Sequence, residues 1–347
     1  MNKLRISLIV LIFLAFAGSI FLLPVNKAEA KKKKSALAGA KVIGYSNTGR
    51  FSLALIAGED YLRKFAEQKG WIFITAEAEQ DTAKQAQDID NLIARGVDLV
   101  MCNPTDSKAI ISSIKASQAA GIPFVLYLRA EDPKGDAKAD AYSGQDTVAQ
   151  AYDAAIALSK IVAKNGVKAA DVKVMHVIGD LRDQNAILRK QGFEQACKEL
   201  GWKIVVEVPA EWDLNKALTG ATNALQAHKD VNVVLIASDY LWPGVKTALQ
   251  NQNMLKKAGE KGHVFIGSQD VFPIAVDDIK AGYIDASTVI DMGGMAVVAI
   301  AQAEKLMKGE KLTESTNPPK RSVLKATVIT MDNVDTVPNL WGKEFHP

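Results

Sequence analysis

Past residue 40 the chain repeats one pattern: a short apolar run rich in Val and Ile, then a segment of helical periodicity. The runs fall at 41–46, 71–75, 97–103, 122–128, 172–178, 202–208, 231–238, 263–268 and 284–290. Runs this short and this apolar suit strands buried on both faces. Helix-period segments lie between them, among others at 53–69, 82–94, 107–119, 146–163, 185–200 and 215–227. Gly70, Gly96, Gly121 and Gly201 follow helical segments, where a left-handed cap is wanted. Strands alternating with helices predict a parallel sheet with helices on both faces. The series runs twice, over about 41–142 and 146–290, with Gly70-Trp71 and Gly201-Trp202 at matching points. The chain of 347 residues is long enough for two such α/β lobes.

The N-terminus carries a different signal. Lys3 and Arg5 precede a continuous apolar run over 6–23, and Ala28-Glu29-Ala30 offers small residues one position apart. This is the pattern of a cleaved secretory signal peptide over residues 1–30, and it predicts export to the periplasm. The run is nearly long enough to span a bilayer, so an uncleaved anchor is the rival reading. No Cys follows the run directly, which argues against a lipid-modified end, and the lysines at 31–34 are assigned no partner. Cys102 and Cys197 could pair in an oxidising compartment. Their placement, one in a strand-like run and one on a helix, favours two separate buried thiols.

Several function classes lack their motifs. The net charge of +3 is small, and the lysines and arginines are spread among acids, so no nucleic-acid footprint is present. There is no GxxxxGK[ST] phosphate loop and no GxSxG elbow. None of His176, His228, His263 and His346 has metal-ligand spacing to another His or Cys, and His176 reads as a core residue inside a strand. The expectation is a non-enzyme with neither cofactor nor metal.

In open parallel sheets, ligands bind beyond the carboxyl ends of the strands. Those positions hold Ser46, Asn47, Arg50, Phe51, Asn103, Asp106, Arg129, Asp146, Asp180, Arg182, Trp212, Ser238, Asp239, Trp242, Gln269, Asp270 and Asp291. Planar polar groups interleaved with aromatics suit a sugar: paired donors and acceptors meet adjacent hydroxyls, and an aromatic face covers the C–H face of the ring. Asn103 and Asp106 fit turn and helix-cap roles better than a ligand role. Trp71 and Trp202 begin strands and read as core, while Trp212 and Trp242 stand open between cleft and packing.

At these residues the chain resembles the periplasmic sugar-binding proteins of ABC importers, in their ribose-binding-like branch. The resemblance covers about 41–335. It rests on Asn91-Leu92-Ile93-Ala94-Arg95-Gly96-Val97-Asp98, Asn103-Pro104-Thr105-Asp106-Ser107, Gly121-Ile122-Pro123-Phe124-Val125, Arg189-Lys190-Gln191-Gly192-Phe193 and Val328-Ile329-Thr330-Met331-Asp332-Asn333-Val334. The resemblance implies a clamshell of two doubly wound parallel-sheet lobes joined by a three-stranded hinge. The lobes would comprise 41–144 plus 292–326 and 145–291 plus 327–347, with crossovers near 142–146, 290–292 and 325–330. It implies a monomer that captures a monosaccharide, polyol or sugar acid by hinge closure and delivers it to a membrane permease. Arg129 and Arg189 would grip the ligand, and Phe51 and Trp212 would supply ring faces. Ser46, Asn47, Arg50, Asp146, Asp239, Trp242, Gln269 and Asp291 complete the candidate site. The same clamshell could instead serve a chemoreceptor or sensor kinase. It is shared by the lactose-repressor family, whose N-terminal helix-turn-helix is here replaced by the export signal.

Four departures from that branch bear on the ligand. Leu128 stands where Asp is usual, Ser238 where Asn is usual, Gln269 where Asp is usual, and Trp242 at a usually small position. Arginines kept while acids are lost predict a pocket more positive than usual, suited to a sugar acid, a modified sugar or another small oxyanion-bearing molecule.

Overall fold

The structure, a computed structural model, describes residues 39–338 and 340–344. The expected signal peptide lies outside the described residues. Five strands of the first half are β1 (Val42–Asn47), β2 (Ile72–Glu77), β3 (Leu99–Cys102), β4 (Phe124–Leu128) and β5 (Ala141–Gln145). Five of the second are β6 (Lys173–Ile178), β7 (Lys203–Pro209), β8 (Val233–Ile236), β9 (Phe265–Asp270) and β10 (Ala286–Val289). Two more, β11 (Arg321–Leu324) and β12 (Thr327–Thr330), follow near the C-terminus. They form two six-stranded sheets, ordered β11-β5-β4-β3-β1-β2 and β12-β10-β9-β8-β6-β7. All pairings are parallel except that of β12 with β10. Apart from β12, the strand tips within each sheet therefore point the same way, and a ligand site is possible at that edge.

The apolar runs become strands because helices cover both faces. Ile43, Leu99 and Val125 are fully buried in the first sheet, as are Val174, Val233 and Leu235 in the second. The helices are α1 (Leu53–Gln68), α2 (Thr82–Ala94), α3 (Ile110–Ala119), α4 (Thr147–Lys164), α5 (Gln184–Leu200), α6 (Leu214–Ala227), α7 (Trp242–Asn251), α8 (Pro273–Lys280), α9 (Met292–Met307) and α10 (Trp341–Glu344). Several start on an acid whose carboxylate accepts first-turn amides: Asp81 for α2, Asp146 for α4, Asp183 for α5, Asp213 for α6 and Asp291 for α9. Gly201 ends α5 at φ 69°, a conformation that costs glycine nothing.

The chain passes between the sheets three times, from β5 to α4, from β10 to α9 and from β11 to β12, since α4 packs on β9 and β10 and α9 on β4 and β5. One side chain ties two passages together. Gln145 Nε2 donates to the Val289 carbonyl at 3.0 Å, and its Oε1 accepts from the Asp291 amide at 3.1 Å. The Asp146 amide donates to the Leu324 carbonyl at 2.9 Å and ties in the third.

Cys102 and Cys197 are both free and buried, and burial raises both thiols, that of Cys197 to about 12. His176 is fully buried with its ring edge-on to Phe193.

Candidate ligand-binding cleft

A cavity of about 60 Å³ lies between the facing strand tips of the two sheets. Phe51, Ser52, Ala54, Leu55, Leu128, Arg129 and Met292 line it from the first lobe. Asp183, Asn185, Arg189, Trp212, Ser238, Tyr240, Asp270, Phe272 and Ile290 line it from the second lobe and its link to α9.

Arg129 follows β4 directly. Leu128 before it takes φ 68°, a left-handed conformation that a side chain resists, and this bend turns the chain out of the sheet. Arg129 Nε meets Asp183 Oδ2 at 2.9 Å, and its guanidinium donates to the Pro104 carbonyl at 3.3 Å. Asp183 belongs to the opposite lobe, where its other oxygen caps α5 through the Asn185 amide at 2.8 Å. The Asp183 carboxylate also accepts from Trp212 Nε1 at 3.2 Å. One carboxylate thus fixes a guanidinium from one lobe and an indole from the other.

Arg189 lies on α5, a turn further along, and points into the same space. It makes a two-pronged pair with Asp270, at 2.6 and 2.9 Å, and donates to the Ala237 carbonyl at 2.6 Å. Its Nε is buried without a partner. Asp270 reaches it because Asp270 and Val271 take φ 91° and 58°. Strain of this kind persists only where surrounding structure enforces it.

Two aromatic groups face the cavity. Trp212 comes from the β7–α6 connection at φ 57° and passes close over Gly179, where a Cβ would overlap its ring. Phe51 comes from the first lobe and meets Tyr240 of the second at 6.0 Å between ring centres, edge to face.

Of the candidate site residues the cleft gathers Phe51, Arg129, Arg189 and Trp212, and of the other strand-tip positions Ser238 and Asp270. The others sit elsewhere, each for a visible reason. Trp242 is fully buried, and its Nε1 donates to Asp278 at 2.6 Å, so it is a core residue. Asp146 and Asp291 are spent on helix caps. Arg50 turns away to Glu59 at 2.7 Å, which Arg63 also holds at 2.7 Å. Ser46 and Asn47 are buried behind the lining, where Asn47 Oδ1 accepts from Asn103 at 3.3 Å. Gln269 is buried in β9. Asp239 is buried below the lining and accepts from the Val271 amide at 2.6 Å. Burial, with the Asp270 charge adding, pushes its carboxyl up to about 7. Asp106 holds the Lys108 and Ala109 amides as a cap.

Asp183 and Asn185 are lining residues that the strand-tip reading passed over. Their signal in the sequence is the Asp-x-Asn that opens α5, since a helix N-terminus beside a strand tip faces the same cleft. Tyr240, Phe272, Ile290 and Met292 carry no comparable signal.

The expectation of a positive pocket is corrected by these contacts. Arg129 is matched by Asp183 and Arg189 by Asp270, so the four charges cancel. The acid missing at Leu128 is replaced from the other lobe.

A family model described as a periplasmic binding protein domain matches residues 46–311. The chain belongs to that family. It is 29% identical over 254 residues to the ribose import binding protein of Salmonella typhimurium, covering 73% of this chain and 80% of the relative. It is 27% identical over 326 residues to the D-apiose import binding protein of Paraburkholderia graminis, covering 88% and 96%. An ABC transporter solute binding protein from Bacillus halodurans, solved with bound myo-inositol, superposes with a TM-score of 0.75 at 21% identity, over 90% of this chain and all of that one.

The lobes of this periplasmic binding protein touch across the cleft mouth. Ser107 of the first lobe donates through its amide and hydroxyl to the Arg182 carbonyl, each at 3.0 Å. Asn185 of the second donates to the Leu128 carbonyl at 3.0 Å. With the Arg129–Asp183 pair, these contacts describe a closed clamshell.

Proposed function

We propose that this chain is the extracytoplasmic solute-binding component of an ABC importer and captures a neutral monosaccharide or cyclic polyol by hinge closure. The observation that carries the reading is the charge-balanced ring of planar polar groups, Arg129–Asp183 and Arg189–Asp270, set between Trp212 and Phe51. Such groups satisfy adjacent hydroxyls with paired donors and acceptors, while the aromatic faces take the apolar side of a sugar ring. The names of the curated relatives, ribose and D-apiose import binding proteins, point to the same class. The lobes act as 41–144 plus 292–326 and 145–291 plus 327–347. Closure is the step a permease reads, and the protein carries out no chemistry on its cargo. Its place is the periplasm, reached through the N-terminal signal.

The ligand touches both lobes only when they close, so its differential affinity drives the motion. A shift from 1:99 to 99:1 closed needs about 5.5 kcal/mol. The test is calorimetric titration of ligand-stripped protein with D-ribose, D-allose, myo-inositol and the matching sugar acids. Micromolar or tighter binding of a neutral member is expected. Binding confined to the acids, or none at all, would overturn the reading.

A further inference from the structure

The 270–272 segment supplies Asp270 and Phe272 to the cleft, yet two consecutive residues in it hold left-handed backbone, one of them the β-branched Val271. Nothing local favours that conformation. Two contacts enforce it. On the inner side, Asp239 accepts from the Val271 amide at 2.6 Å. On the outer side, Trp341 Nε1 donates to the Asp270 carbonyl at 2.7 Å. The Trp341 ring also packs edge-on against Phe272, with centres 4.9 Å apart, and is 2% exposed. Gly342 lies so close that a Cβ there would overlap the Val271 carbonyl. The rings of Trp341, Phe272, Tyr240 and Phe51 follow one another from the C-terminal segment to the opposite lobe. Residues beyond 311 lie outside the family match.

We propose that Trp341 is a positioning residue for ligand capture: from outside the cleft, it fixes the Asp270–Phe272 turn and so aims Asp270 at Arg189. This deepens the proposed function and rests on it for the ligand class. In its absence the unliganded turn relaxes toward ordinary backbone, and binding must first restore it. Apparent affinity then falls by the fraction of molecules still holding the competent turn.

The test compares Trp341→Phe with wild type, and with Trp202→Phe, a buried tryptophan remote from the cleft, as control. Phe keeps the ring packing and removes only the N–H. Amide exchange of 270–272 is measured on the unliganded proteins, and D-ribose, D-allose and myo-inositol are titrated into each. Trp341→Phe should speed exchange in 270–272 while leaving β8 and β10 protected. It should weaken the sugar that wild type binds by about fivefold or more, the scale of one lost hydrogen bond. Trp202→Phe should do neither. Unchanged exchange at 270–272 overturns the proposal, as does equal weakening in both variants. If wild type binds none of the three sugars, the proposed ligand class fails, and the exchange result alone decides the role of Trp341.

Discussion

Replacing Asp183 with Asn should loosen the closed state while leaving the lobes intact. Asp183 Oδ2 accepts from Arg129 across the cleft and from Trp212 within its own lobe. Asn presents an amide to one of these sites, where two N–H donors converge. The cap on α5 survives, because Asn caps a helix as well as Asp does. Arg129 is 8% exposed when the lobes meet, and breaking a buried ion pair from one side costs about 3–5 kcal/mol. The lower figure fits here, since Arg129 keeps the Pro104 carbonyl. The charge returns to water when the lobes part, so the cost falls on closing and not on folding. About 3 kcal/mol corresponds to roughly a hundredfold weaker binding. Calorimetric titration with the sugar that wild type binds gives the affinity, and small-angle scattering gives the closed fraction. The unfolding midpoint of the ligand-free protein should barely move. An affinity within threefold of wild type would refute the latch, and so would a large loss of ligand-free stability.

Two further outcomes follow from the same contacts. The carboxyl of Asp239 titrates near 7 rather than near 3.8, so its contribution to stability is full below its unfolded value and lost as pH rises through about 7. Glu77, raised to about 7 by burial and the neighbouring Glu59, acts in the same direction. So does His263, whose pair with Asp285 raises it although burial opposes that. Urea midpoints should therefore fall as pH rises from about 4 to about 7, and Asp239→Asn should flatten part of that fall; an identical slope in the variant would exclude Asp239 as a source. Gly179→Ala places a methyl group against the Trp212 ring and should displace it, at about 1–3 kcal/mol of overpacking, with at least tenfold weaker sugar binding by titration. Unaltered binding would show that Trp212 does not depend on that gap.

The nine apolar runs read from sequence all contain strands; seven are buried along nearly their whole length and so read as apolar runs, while β2 and β7, at sheet edges, are only partly buried. β5, β11 and β12 left no such mark: Ala141–Gln145 mixes Ala, Ser, Gly and Gln, and the two late strands are short edge strands with one buried residue each. At the site, position along the chain identified the strand tips but not where their side chains go. Asp146 and Asp291 stand at the right tips and are taken by backbone amides, because each also precedes a helix. Trp242 begins a helix with Pro243 next to it, and that start turns the indole inward to Asp278. Asp183 and Asn185 approach from a helix start, outside any rule about strand tips.

The late position of β11 and β12 has a consequence for biogenesis. Each sheet lacks an edge strand until residues 321–330 are available, although every other strand of the first sheet has been made by residue 145. A growing chain emerging from the ribosome can thus complete neither half. No single cut divides the polypeptide into two autonomous pieces, and a stop codon near 320 would damage both at once.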